Sequence, residues 1–99
     1  MTIKLVNRGN EGELLLDGRL DSTNYEEAHE IFQQTAAKFD TLILNMSRLE
    51  YISSAGLRSL KLLYVTMQKK QGQLVLRGAN ANVTEVMEMT GFASMFRME

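Results

Sequence analysis

Thr41 to Lys70 reads TLILNMSRLEYISSAGLRSLKLLYVTMQKK, and the way this stretch divides decides the fold. Thr41-Leu42-Ile43-Leu44-Asn45 is a short apolar run of strand-forming residues, the pattern of a buried parallel strand. The polar interval from Asn45 to Glu50 reads as a loop crossing the sheet edge. From Ser53-Ser54-Ala55-Gly56 onward, Leu57, Leu60, Tyr64 and Met67 recur at helical spacing, so a helix opens at a pair of serines. In an open α/β sheet, functional groups collect at the carboxyl ends of the strands. The corner around Ser54 is the expected functional centre.

Working outward, Ile3–Val6 and Glu13–Asp17 read as two strands joined by the turn-rich Asn7–Gly12, an antiparallel hairpin. Gly18-Arg19-Leu20-Asp21 leads into a first helix. Thr23 and Glu26 have capping-box spacing, with Ser22 the rival cap, and Tyr25, Ala28, Phe32 and Phe39 fall on one face with Ala36 beside them. Beyond the central stretch, Gly72 is placed to end the second helix and Gln73–Arg77 reads as a strand. Asn82 with Glu85 repeats the capping spacing before a third helix that buries Val83, Val86 and Met87. Gly91 ends that helix in the left-handed conformation with Phe92 packing back, and Ser94–Met98 reads as a last short strand. The order β-β-α-β-α-β-α-β predicts one α/β domain over residues 1–99, a mixed, mostly parallel sheet flanked by helices.

A chain of 99 residues can bury about 60–68% of its unfolded surface. Apolar residues at 44% and charged residues at 23% are ordinary for a globular protein. There is no cysteine, which excludes disulfides and thiolate metal sites. No apolar run approaches the roughly 20 residues of a membrane helix. The start, MTIKLVNRGN, lacks the apolar region of a signal peptide, so a cytoplasmic protein without membrane insertion is expected. A net charge of −1 argues against direct nucleic-acid binding. The charge is unevenly spread: residues 51–84 contain no acid but carry Arg58, Lys61, Lys69, Lys70 and Arg77. That pattern suits either the solvated face of a helix or a surface that meets an acidic partner or a phosphate.

Enzyme chemistry finds little support. Ile52-Ser53-Ser54-Ala55-Gly56 lacks the Gly-x-Ser-x-Gly elbow of an α/β-hydrolase. The only histidine, His29, lies in the first helix among Glu26, Glu27 and Glu30, and reads as a surface residue with no link to either serine. Only carboxylates remain as metal ligands, in no recognisable spacing, so neither catalysis, metal nor cofactor is expected. Ser54 reads first as the N-cap of a helix starting at Ala55. An exposed serine at a helix start is also where a phosphate is tolerated, because free N–H groups and the helix dipole favour an anion there.

Four stretches together resemble the STAS domain family, and specifically the stand-alone bacterial anti-sigma factor antagonists. They are Gly18-Arg19-Leu20-Asp21, LILNMSRLEYISSAGLRSL at 42–60, Gly72-Gln73-Leu74-Val75-Leu76, and Val83 to Phe92. The resemblance implies a protein that binds an anti-sigma factor and so releases a sigma factor. It implies that the anti-sigma factor is also an ATP-dependent serine kinase, that phosphorylation breaks the complex, and that a serine phosphatase restores it. The acceptor implied is Ser54, two residues before the motif glycine Gly56. Ser53 stands where many members carry aspartate and is the alternative acceptor. Asp21, Ser53, Ser54, Gly56 and Arg58 are the implied partner-binding residues. The family also includes non-switching modules, such as subunits of lipid or anion transporters, and a nucleotide or anion sensor is the alternative function.

Overall fold

The computed structural model describes residues 1–99. Five strands form one sheet in chain order: β1 (Thr2–Arg8), β2 (Glu11–Leu20), β3 (Thr41–Ile52), β4 (Gln73–Arg77) and β5 (Arg97–Met98). β1 and β2 are the antiparallel hairpin, and the remaining pairs are parallel. The connections are α1 (Tyr25–Ala36), α2 (Ser54–Lys69) and α3 (Ala81–Met89), with a short 3-10 turn at Phe92–Ser94. The expected element order is therefore observed. β1 and β2 are longer than Ile3–Val6 and Glu13–Asp17, and the last strand is shortened from Ser94–Met98 to two residues.

The core follows from strand alternation and helical spacing. Leu14 and Leu16 on β2, Leu42 and Leu44 on β3, and Leu74 and Leu76 on β4 point to one face. Against them pack Ala28, Phe32 and Ala36 of α1, Leu57, Leu60, Leu63 and Met67 of α2, and Val83 and Met87 of α3. Phe39 is buried as expected but lies beyond the end of α1, against Gly12. On the opposite side of the sheet, Glu13 is 4% exposed and its carboxylate is held by Asn45 Nδ2 at 2.9 Å and Arg8 at 2.7 Å. Arg77 reaches the same carboxylate at 3.6 Å and pairs with Glu99 at 3.0 Å.

Several boundaries differ from the sequence pattern, each for a local reason. Asn45–Glu50 is not a loop, because β3 continues through it to Ile52 alongside β2. Register shifts between Leu15 and Asp17 and between Gly18 and Arg19 break the period of two, so Met46, Leu49 and Ile52 are buried at every third position. Neither Thr23 nor Ser22 caps α1; the cap position is Asn24 and makes no side-chain cap bond. Thr23 is engaged elsewhere, donating its N–H at 2.9 Å and its hydroxyl at 2.6 Å to Asp21 Oδ1. Asn80 rather than Asn82 caps α3, accepting the Val83 N–H at 2.8 Å while its amide donates to the Leu49 carbonyl at 3.0 Å. Gly91 does end α3 in the left-handed region, at φ 80°.

The end of α2 is a Schellman turn in which Gln71, at φ 60°, takes the left-handed position expected of Gly72. The Gly72 N–H donates to Met67 O at 2.8 Å and the Gln71 N–H to Gln68 O at 3.0 Å. Gly72 is needed for space: a Cβ there would lie 2.7 Å from the Asp40 carbonyl.

Candidate functional site

The site is built where β2 and β3 end. After β3, Ser53 stays extended (φ −91°, ψ 175°) because its N–H continues the parallel ladder, donating to Leu20 O at 2.9 Å. Its carbonyl accepts the first helical bond, from the Leu57 N–H at 2.9 Å, and its hydroxyl accepts the Gly56 N–H at 3.2 Å. Those are the features of an N-cap. The cap of α2 is therefore Ser53, which corrects the assignment to Ser54. The ladder decides the matter: a residue bonded across the sheet cannot also take helical dihedrals, so the helix opens one residue later. Ser54 is the first helical residue, exposed, and its hydroxyl has no hydrogen-bond partner.

Gly56 fixes where that turn sits. A Cβ at this position would come within 2.8 Å of Leu20 Cγ, 2.9 Å of Ile52 Cγ1 and 3.0 Å of the Leu20 carbonyl. Only glycine lets the first turn of α2 press onto the end of β2. Ser59, also buried, donates its hydroxyl to Gly56 O at 2.6 Å and ties the second turn to the first. Close seating of Gly56 on Leu20 brings the next residue, Asp21, and the loop after it alongside the α2 start. The Asp21 carboxyl is held below the usual aspartate range by the Thr23 hydroxyl bond first and the Thr23 N–H next, with Arg19 adding to the effect. It is therefore a fixed negative charge beside the serine pair.

Arg58 lies one helical turn beyond Ser54 on the exposed face of α2. It borders a hollow of about 740 Å³ between α1 and α2, together with Ser22, Thr23, Glu26, His29 and Glu30. His29 is half-buried there, not a plain surface residue, and its Nδ1 is enclosed without a partner. Of the five cations in residues 51–84, Lys70 and Arg77 are used within the fold. Lys70 Nζ donates to the Ala36 carbonyl at 2.6 Å and the Phe39 carbonyl at 2.9 Å, while Arg77 holds Glu13 and Glu99. Arg58, Lys61 and Lys69 remain exposed along α2, so the basic surface is narrower than the charge pattern suggests.

One pair had no separate signal in the sequence. Arg19 Cζ sits 4.4 Å above the ring of Tyr51, which is 41% exposed, and the register of β2 with β3 sets the two side by side. Pairing of those strands past Asp17 is what creates the stack, and that pairing is hidden by the polar residues of β3. No group of three or more His, Cys, Asp or Glu is disposed to hold a metal ion, and no helix is long and apolar enough to cross a membrane.

A five-stranded sheet that opens on an antiparallel hairpin and continues in parallel strands with intervening helices defines a class of fold, and the comparisons agree with it. The family model for the STAS domain matches residues 3–99, and the chain belongs to that family. A curated relative, "Putative anti-sigma factor antagonist BtrV" of Bordetella bronchiseptica, is 39% identical over 82 residues, covering 82% of this chain and 71% of its own. The anti-sigma factor antagonist SpoIIAA in its unphosphorylated form superposes with a TM-score of 0.85 at 18% identity, over 99% of this chain and 88% of that one. A sulfate transporter family protein from Wolinella succinogenes superposes with a TM-score of 0.81 at 17% identity, over 94% and 79% of the two chains. At those identities the two structures speak for the fold alone.

Proposed function

We propose that this protein is an anti-sigma factor antagonist whose binding to an anti-sigma factor is switched off by phosphorylation of Ser54. The observation that carries the proposal is the division of labour between the two serines. Ser53 is committed to the cap, its hydroxyl holding the Gly56 N–H, whereas the Ser54 hydroxyl is exposed and unbonded. A kinase can transfer the γ-phosphoryl group of ATP to Ser54 Oγ, with loss of the hydroxyl proton and release of ADP, without dismantling the helix start. The relative BtrV, described as an anti-sigma factor antagonist, supports the same function.

Magnitudes favour a switch that acts on the partner and not on the fold. A phosphate adds about −1.5 to −2 charge. At a helix N-terminus, charge of that sign is worth about 0.3–1 kcal/mol in the favourable direction, so the domain stays folded. Buried against a partner, the same charge must be desolvated and meets any like charge there, at a cost of several kcal/mol. Asp21, Ser53, Ser54, Gly56 and Arg58 form or border the contact surface, with Gly56 acting through the position it allows the helix.

The test is incubation with the anti-sigma factor kinase of the host and ATP, followed by mapping of the modified residue. A phosphate on Ser54, absent in Ser54→Ala and present in Ser53→Ala, is the expected result. Modification of Ser53 alone, or of neither serine, overturns the assignment.

A further inference from the structure

Ser54, Arg58 and Lys61 share one exposed stripe of α2. Arg58 belongs to none of the ion pairs of the fold, which are made by Arg8, Arg48 and Arg77. It rests on the hollow between α1 and α2, whose other charged groups are Glu26, Glu27 and Glu30 of α1, beyond ion-pair distance. Its guanidinium is thus the one permanent cation of an otherwise acidic hollow, and no bond keeps it there.

Resting on Ser54 as the acceptor, we propose that Arg58 is the moving arm of the switch: a phosphate on Ser54 draws the Arg58 guanidinium out of the α1–α2 hollow and onto itself. Residues four apart on a helix have Cβ atoms about 5–6 Å apart, and an anion N-terminal to its cation is the favourable order. The planar fork of arginine matches two phosphate oxygens. Rival cations are worse placed. Lys61 lies seven residues from Ser54, about 10 Å along the helix axis. Arg19 is stacked on Tyr51 and faces Asp21. The carboxylates that compete for Arg58 are Glu26, Glu27 and Glu30 from α1, while Asp21 from the β2–α1 loop repels the phosphate and sharpens its demand for a cation.

The consequence is a wider change of surface than the phosphate alone would make. In the unmodified protein a partner meets an acidic hollow whose charge Arg58 offsets in part. After modification it meets a phosphate at Ser54 and, beside it, three glutamates without their cation. A partner group seated in the hollow loses its electrostatic match even where it never touches Ser54.

The experiment installs phosphoserine at position 54 during translation, so that it does not depend on any kinase, and follows the phosphate by 31P NMR across pH. Parallel samples carry Arg58→Gln or Lys61→Gln, each checked for folding by its amide spectrum. A guanidinium on the phosphate favours the dianion, so its second pKa should lie about 0.15–0.4 unit lower with Arg58 present than with Arg58→Gln. Lys61→Gln should leave it unchanged. Equal values with and without Arg58, or a rise on losing Lys61 instead, would overturn the proposal. Because the phosphate is installed directly, a failure here is separate from a failure of the host kinase to modify Ser54.

Discussion

Replacing Ser53 by alanine should cost this domain more than replacing its neighbour Ser54, although Ser54 is the proposed regulatory residue. Ser53→Ala removes the oxygen that accepts the Gly56 N–H. Losing an N-cap side chain costs about 0.5–2 kcal/mol in general. Here the orphaned donor belongs to Gly56, a buried residue that water reaches poorly. The loss should therefore fall in the upper part of that range, at about 1–2 kcal/mol. In a domain of this size that lowers the melting temperature by roughly 4–16 °C. Ser54→Ala deletes a hydroxyl with no partner and should stay within about 0.5 kcal/mol of the parent. Ser53→Asp keeps an acceptor at the cap and should recover most of the loss. Urea unfolding followed by far-UV circular dichroism reads all three variants. A neutral Ser53→Ala, or a Ser54→Ala as damaging as Ser53→Ala, would refute the cap assignment and with it the reason for choosing Ser54 as acceptor.

Three further outcomes are expected. Lys70→Met should destabilise by about 1–2 kcal/mol in thermal melts, since Lys70 Nζ satisfies the carbonyls of Ala36, the last residue of α1, and of Phe39 beyond it; an unchanged melt would mean that water does the same. Gln71→Gly should raise stability by up to about 1 kcal/mol by relieving its φ of 60°, whereas Gly72→Ala, which meets the Asp40 carbonyl at 2.7 Å, should lower it by about 1–3 kcal/mol. Glu13→Gln should destabilise at neutral pH, and the gap from the parent should close on acidification. The Asn45 amide foremost, then Arg8 and Arg77, hold the Glu13 carboxyl below its ordinary value of 4.5. A depressed carboxyl contributes stability that is complete above the unfolded value and disappears as pH falls through the folded one. Acid unfolding curves that stay parallel below pH 4.5 would contradict this.

The element order and the strand-to-helix corner at Ser53 and Ser54 are legible in the sequence because they depend on long apolar periods. Leu42 and Leu44, and then Leu57, Leu60 and Met67, announce a strand and a helix without help from elsewhere. The misplaced boundaries depend on contacts from distant residues. Nothing near Asn45–Glu50 indicates that β2 runs alongside with two register shifts, and so the stretch looks like a loop. The caps expected at Thr23, Asn82 and Ser54 are displaced for the same kind of reason. Thr23 is occupied by Asp21, Asn80 is recruited by Leu49 from β3, and Ser53 is held extended by Leu20 from β2. A capping motif shows that a helix starts nearby, while tertiary hydrogen bonds choose the residue. The Arg19–Tyr51 stack was hidden for the same reason, since only the extended β2–β3 pairing sets its members side by side.

The affinity of the protein for the anti-sigma factor proposed as its partner, measured by calorimetry with serine and with phosphoserine at position 54, bears most directly on function. Burying the added charge should weaken binding by at least about a hundredfold, equivalent to roughly 2.8 kcal/mol, while the melting temperature of the free protein stays nearly the same. Equal affinity of the two forms, or loss of binding only because the phosphorylated protein unfolds, would contradict a switch built on the exposed hydroxyl of Ser54.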